Sequence, residues 1–199
     1  MAKREQQKMQ TRASLLNAAA ACFAEKGYSG CSVSDIAAHA GVSKGNLYVY
    51  FESKEELFKT MIQDEHGQGA DKARQASQSS SSFLSNIIAL MADCIRDVGF
   101  PIDHRLWVEI LAVAARDDSI RKAFVASDKA MRKVFVELLE KAGQAGEIDN
   151  TLDFDAVSIW LYALIDGLIA RTADDAEFDF QKHLGVFETL VRRALRPES

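Results

Sequence analysis

Lys44, Asn46, Tyr48, Tyr50 and Lys54 stand close together in the chain, and each carries a group suited to one part of a nucleic acid. A lysine ammonium donates to guanine O6 and N7, and an asparagine amide pairs bidentately with adenine. Phenol hydroxyls and ammonium groups also donate to phosphates, which fix register without reading sequence. Gly45, between Lys44 and Asn46, has no side chain and lets backbone or neighbours approach the bases. At helical spacing Leu47 and Phe51 share an inward face, while Asn46 and Tyr50 form an i, i+4 pair turned away from it. Lys44 and Gly45 then fall in the first turn, the part of a recognition helix that enters a major groove.

Such residues read DNA only if short helices hold them. Ser32 is placed to cap a helix, with Asp35 three residues later completing a capping box, and Ile36, Ala37 and Ala40 form its buried side. Gly41 supplies a turn, Val42 packs inward, and Ser43 caps the helix that carries Lys44 to Tyr50. Glu52-Ser53 end that helix, and Ser53 with Glu56 starts the next, whose Leu57, Phe58, Met61 and Ile62 make an apolar stripe. Upstream, Leu15, Ala19 and Phe23 predict a helix from about Thr11 to Lys26, with Gly27 as its C′ residue. Residues 1–9 are a charged, glutamine-rich arm expected to be mobile, with Lys3, Arg4 and Lys8 available for further DNA contacts.

This stretch resembles the N-terminal domain of the TetR family of bacterial transcriptional regulators. The resemblance rests on Ala18 through Phe23, Gly27-Tyr28, Ser32, Ile36-Ala37, Gly41-Val42-Ser43, Gly45, Leu47-Tyr48, Tyr50-Phe51 and Ser53 through Leu57. It implies a homodimer that binds a palindromic operator as a repressor and is released by a small ligand. It also implies base-facing positions at Lys44, Gly45 and Asn46, and phosphate contacts at Ser32, Tyr48, Tyr50 and Lys54, with Ser43 capping the reading helix.

The rest of the chain predicts a helical bundle. The fourth helix should reach the low-complexity stretch Gln75 to Ser82. Further helices are expected from about Phe83 to Val98 (closed by Gly99-Phe100-Pro101), His104 to Arg116, Asp117 to Ala145, Phe154 to Thr172 and Phe178 to Leu195. The fold class is therefore all-α: a three-helix reader over residues 1–58 and a regulatory and dimerising bundle over 59–199, about nine helices in all. Val157, Ile159, Trp160, Leu161, Leu164, Ile165, Leu168 and Ile169 cover most of one helix, which predicts burial on all sides, with one face against a second subunit. Leu106 to Ala112, Gly146-Glu-Ile and Leu164 to Leu168 are similar to the regulatory halves of the choline-responsive and multidrug-efflux relatives. A ligand pocket is expected among helices four to eight, lined by Phe83, Ile87, Met91, Trp107, Ile110, Phe124, Met131 and Trp160. Asp166 and Arg171 stand where they would orient a polar ligand or pair structurally.

Charge and composition fit this division. Residues 1–60 hold 8 Lys/Arg against 6 Asp/Glu and the remainder 16 against 23, a mildly basic head on an acidic body. No Gly-rich phosphate loop, nucleophile elbow or H-E-x-x-H motif is present, which argues against an enzyme. No cofactor or metal is expected: His66 beside Asp64 and Glu65 reads better as a charge cluster than as a metal site. Cys22, Cys31 and Cys94 show no metal or redox spacing, the N-terminus is too polar for a signal peptide, and no apolar run of about 18 residues is evident. The expectation is a cytoplasmic protein with reduced thiols and no membrane partner. The competing reading is a helical protein-interaction module, or an activator without ligand-controlled repression.

Overall fold

The computed structural model describes residues 2–79, 81–99 and 101–197, with the backbone alone for Ala2 and Lys3. Nine helices run through the described residues: α1 (Ala2–Gly30), α2 (Val33–His39), α3 (Lys44–Tyr48), α4 (Lys54–Ala76), α5 (Phe83–Arg96), α6 (His104–Arg116), α7 (Asp118–Gln144), α8 (Phe154–Asp174) and α9 (Phe180–Ala194). The predicted breaks fall where caps and glycines are found. Ser32 and Asp35 form the reciprocal capping box of α2, Ser43 accepts from Asn46 N–H to start α3, and Ser53 accepts from Glu56 N–H to start α4. At α4 the return bond reaches one residue further back than in a capping box, because Glu56 Oε2 accepts from Glu52 N–H at 2.5 Å.

Three expectations about elements are corrected. The arm of residues 1–9 is not a mobile coil: α1 begins at Ala2, because no breaker interrupts the run before Gly27 and Thr11 Oγ1 donates back to Gln7 O. The side chain of Lys3 and all of Phe100 lie outside the described residues. The reading helix α3 is a short piece that stops at Tyr48, with Val49 as its C-cap. Finally, α8 is long and apolar enough on length and composition alone to cross a membrane, contrary to the sequence reading. Its place among α5, α6 and α7 is that of a bundle helix.

α1 kinks at Gly27, whose φ of +69° lies in the left-handed region that suits glycine, and the chain makes one more turn before Cys31. Leu15, Phe23, Ile36, Leu47, Phe51, Leu57 and Phe58 fill the space between α1 and α4, with Phe23, Tyr28 and Phe58 in mutual ring contact. Cys22 and Cys31 are joined by a disulfide with Cα atoms 6.0 Å apart, which corrects the expectation of three reduced thiols; Cys94 is free. No spacing rule marked this pair, because the kink at Gly27 is what folds Cys31 back onto α1.

α4 packs along α7 and against α5, while α8 crosses α6 and α7. The sequence predicted burial of α8 on all sides. Only one side is buried, through Ser158, Leu161, Ile165 and Ile169. Ile159, Trp160 and Leu164 are exposed, Trp160 to 77%, and Val186 and Leu190 of α9 are exposed as well. These side chains are uncovered apolar surface on each of the last two helices.

Candidate DNA-reading surface and internal cavity

Three short elements set the reading surface. Leu47 and Phe51 anchor α3 in the core, and this turns Lys44, Gly45, Asn46, Tyr48 and Val49 outward into solvent. The Lys44 ammonium lies 6.0 Å above the Tyr48 ring, in cation–π range. The first turn of α3 thus offers an amine, a bare backbone and an amide on one exposed face.

Ser32 and Lys54, read from sequence as phosphate contacts, are already engaged. The Ser32 hydroxyl donates to Asp35 Oδ2 and accepts from Asp35 N–H. Lys26 pairs with the same carboxylate at 2.8 Å, and these bonds hold the Asp35 carboxyl well below the usual range. Lys54 Nζ donates to the carbonyls of Tyr28 (2.6 Å) and Cys31 (2.9 Å) and sits 4.4 Å over the Tyr28 ring. Burial pushes its pKa down. Lys54 therefore first clamps the end of α1 to the start of α4, leaving one N–H for an outside acceptor. Tyr50 is half-buried beside the core.

Besides the exposed pair of Arg12 with Asp64 at 3.7 Å, two polar contacts tie this head to the bundle. Glu109 of α6 accepts from Tyr28 N–H at 2.6 Å, directly after the kink. At the start of α4, Ser119 of α7 donates to Glu55 Oε1 (2.8 Å) and accepts from Lys59 Nζ (2.6 Å). The sequence reading did not single out Glu109; its one signal is a lone carboxylate inside the apolar run Leu106 to Ala112.

Inside the bundle a cavity of about 460 Å³ opens between α4, α5, α6, α7 and α8. This volume falls in the range of small-molecule sites, about 300–1,000 Å³. Trp107, Phe124 and Met131 line it, as expected. The other expected lining residues do not. Ile87, Met91 and Ile110 are fully buried in the core, Phe83 packs at the core edge, and Trp160 points away into solvent. Their places are taken by Glu65 and His66 of α4 and by Tyr162 and Asp166 of α8. Gly69 makes room for this wall, since a β-carbon there would lie 2.7 Å from Met131 Sδ.

The polar groups of the cavity are few and aimed. Asp166 Oδ1 accepts from Trp107 Nε1 at 2.9 Å, bridging α8 to α6. Arg132 is paired with Asp128 at 2.9 Å. Burial raises the Asp166 carboxyl and pushes Glu65 up to about 7. Burial also pulls His66 down to about 4, so its ring is neutral at pH 7. Arg171 is exposed in the last turn of α8, away from the cavity lining. A second cleft of about 450 Å³ lies on the outer surface of α4 and α5; there Arg96 already pairs with Asp93.

With this geometry in view, the chain matches two family models. Residues 15–61 match that of the bacterial regulatory proteins of the tetR family, and residues 87–196 match that of the BetI-type transcriptional repressor C-terminal region. The HTH-type transcriptional repressor AcnR of Corynebacterium diphtheriae is 25% identical over 186 residues, 91% of each chain. The HTH-type transcriptional regulator TtgR of Pseudomonas putida is 28% identical over 173 residues, 84% of this chain and 82% of its own. In structure, the regulator FadR of Bacillus subtilis, solved in complex with stearoyl-CoA, superposes with a TM-score of 0.78 at 21% identity. That match covers 92% of this chain and 98% of FadR.

Proposed function

This chain belongs to the TetR family of bacterial regulatory proteins and is a DNA-binding transcriptional regulator; from that premise we propose that it is a homodimeric repressor, freed from a palindromic operator when a small molecule enters the cavity. Residues 1–58 form the reading head and 59–199 the regulatory body, and α4 runs unbroken through the boundary. Lys44, Gly45 and Asn46 meet base edges, while Tyr48, Tyr50 and the spare N–H of Lys54 meet phosphates. Ser32 and Ser43 act on DNA through the helices they cap. The protein works in the cytoplasm as a regulator, not an enzyme, and its partners are operator DNA, a second copy of itself and one effector.

The observation that carries this reading is that one helix serves both ends. Lys54, in the first turn of α4, clamps the reading head, and Glu65 and His66, about three turns on, wall the cavity. α6 repeats the arrangement with Trp107 in the cavity wall and Glu109 bonded to Tyr28. A molecule that wedges α4 and α6 apart therefore moves the head. The two reading helices of a dimer must sit about one DNA turn (~34 Å) apart to enter successive major grooves, so a small tilt removes one of them. Preference for the tilted state by a few kcal/mol is enough to empty the operator.

Dimerisation through α8 and α9 accounts for the face formed by Ile159, Trp160, Leu164, Val186 and Leu190. The test is fluorescence anisotropy with DNA from upstream of the protein's own gene against random DNA of equal length. Preference for the upstream DNA by about a hundredfold or more at fixed salt supports the repressor reading. Equal affinity for both sinks it.

A further inference from the structure

Resting on the reading of the cavity as the effector site, we propose that its ligand is a protonated amphipathic amine: an ammonium with N–H donors on an apolar body, with Glu65 of α4 as its counter-charge.

The charges of the cavity give the sign. The single guanidinium, Arg132, is taken by Asp128. Glu65 and Asp166 remain, and among the described residues neither has a cationic nitrogen within ion-pair distance. An anionic ligand would meet two carboxyl groups, with one guanidinium already paired to Asp128 to offset them. A wholly apolar ligand would leave buried polar atoms without partners, which is costly.

The hydrogen-bond inventory gives the donor. Among the described residues, Glu65 Oε2 and His66 Nε2 are both buried without a partner, and His66 as a whole is only 2% exposed. His66 Nδ1 lies 2.7 Å from Ser127 Oγ. That hydroxyl lies 3.0 and 3.1 Å from the carbonyls of Ala123 and Phe124, to which it donates when the imidazole proton is on Nδ1. In the tautomer protonated at Nδ1, Ser127 Oγ accepts from Nδ1–H and Nε2 is the bare acceptor. An ionised Glu65 and an Nδ1-protonated His66 thus present two adjacent acceptors on α4, and a ligand carrying donors satisfies both.

The apolar body has its own seat. Trp107, Phe124 and the His66 ring stand mutually edge-on or tilted, with centroids 4.9 to 6.0 Å apart, and Tyr162 closes the α8 side. Aromatic faces attract a cation and its alkyl substituents together.

The proton balance is also set. Glu65 titrates near pH 7 in the empty protein, since burial and Asp97 raise it against the pull of Lys72. Besides Lys72 and Asp97, the titratable and charged groups around it come from every wall of the cavity, including Asp166 of α8, which burial raises. His66 on α4 is neutral, the Cys94 thiol on α5 is pushed up to about 11, and Asp128–Arg132 on α7 is paired. On α8, burial raises Tyr162 further from ionising. An arriving ammonium holds Glu65 ionised, so each binding event releases part of a proton and affinity rises with pH.

The experiment is calorimetric titration of the full-length dimer with four probes of equal chain length: octylamine, octyltrimethylammonium, octanol and octanoate. Octylamine should bind at least tenfold tighter than each of the other three, and its affinity should rise several-fold between pH 6 and 8, up to the tenfold that one group titrating near 7 allows. Glu65→Gln, which keeps the side chain's size, should erase that advantage and the pH dependence while leaving operator binding without any probe unchanged. Asp166→Asn gives a second test, lowering octylamine affinity by a smaller factor. Octanol or octanoate binding as tightly as octylamine overturns the ligand class but leaves the effector site intact. Octyltrimethylammonium binding as tightly overturns the N–H donor argument. No binding of any probe, by protein that still holds its operator, overturns the effector site itself.

Discussion

Replacing Glu109 by alanine isolates the link between bundle and reading head. Its Oε1 is the partner of Tyr28 N–H, an amide that the break at Gly27 deprives of its place in the helical ladder. A backbone hydrogen bond to a carboxylate contributes about 1.5–3 kcal/mol. Glu109 is half-buried, so water reaches the freed amide and the lower end applies. With a urea slope of roughly 2 kcal/mol/M, a loss of about 1.5 kcal/mol moves the unfolding midpoint down by about 0.7 M. Glu109→Gln keeps a neutral acceptor and should lose less than about 1 kcal/mol. The functional consequence is larger than the structural one. Trp107 and Glu109 lie two residues apart on α6, so cutting the bond to Tyr28 should leave effector binding in place and weaken the effector's ability to lower DNA affinity. Urea melts and anisotropy titrations with and without octylamine measure both quantities. A midpoint shift below about 0.2 M, together with an undiminished effector response, would refute the role of Glu109 as the connection.

Other outcomes follow from the same contacts. Trp160→Glu puts a charge in the exposed face of α8 and α9, so light scattering should show the mass falling from a dimer's to a single chain's, and an unchanged dimer rules that face out. Lys44→Ala should remove about 1–3 kcal/mol of discrimination at one base position and little affinity for random DNA, whereas Lys54→Ala should weaken binding to every sequence and lower the salt slope by about one. The second variant also loses the clamp on Tyr28 and Cys31, so its melt should drop as well. Reducing the Cys22–Cys31 bond, or replacing both residues by serine, opens a loop of about ten residues and should cost about 2.5 kcal/mol of stability by denaturant titration; an identical melt under reductant counts against it. Glu65 and His66 act on stability with opposite signs. The raised Glu65 stabilises at low pH and loses this as pH rises from about 4.5 to about 7, while the depressed His66 destabilises as pH falls from 6.5 towards 4. Glu65→Gln should therefore uncover the histidine alone, a loss of about 2 kcal/mol between pH 7 and 5, and a flat profile would contradict the neutral, buried assignment of His66.

The reading head was legible because its signals are local. Caps at Ser32, Ser43 and Ser53 and a turn at Gly41 each act within a few residues, and the inward pair Leu47 and Phe51 shares one helix face. The cavity was not, because its lining depends on how each helix is rotated against its neighbours. Ile87, Met91 and Ile110 have the right size and the wrong phase. On α8 an almost continuous apolar circumference gives no phase at all, so Trp160 and Tyr162, two residues apart, could not be sorted into an outward and an inward group. Glu109 and the Cys22–Cys31 bond depend on the fold-back at Gly27, which pattern alone locates as a stop and not as a direction.

The central claim is that occupancy of the cavity controls the spacing of two reading heads. Footprinting of the upstream DNA with purified dimer tests it most directly. The account predicts two protected half-sites centred about 10 base pairs or a multiple apart, both lost at the octylamine concentration that just saturates the wild-type cavity and both retained by Glu65→Gln at that same concentration. A footprint that persists unchanged with octylamine bound to the wild-type protein would contradict it.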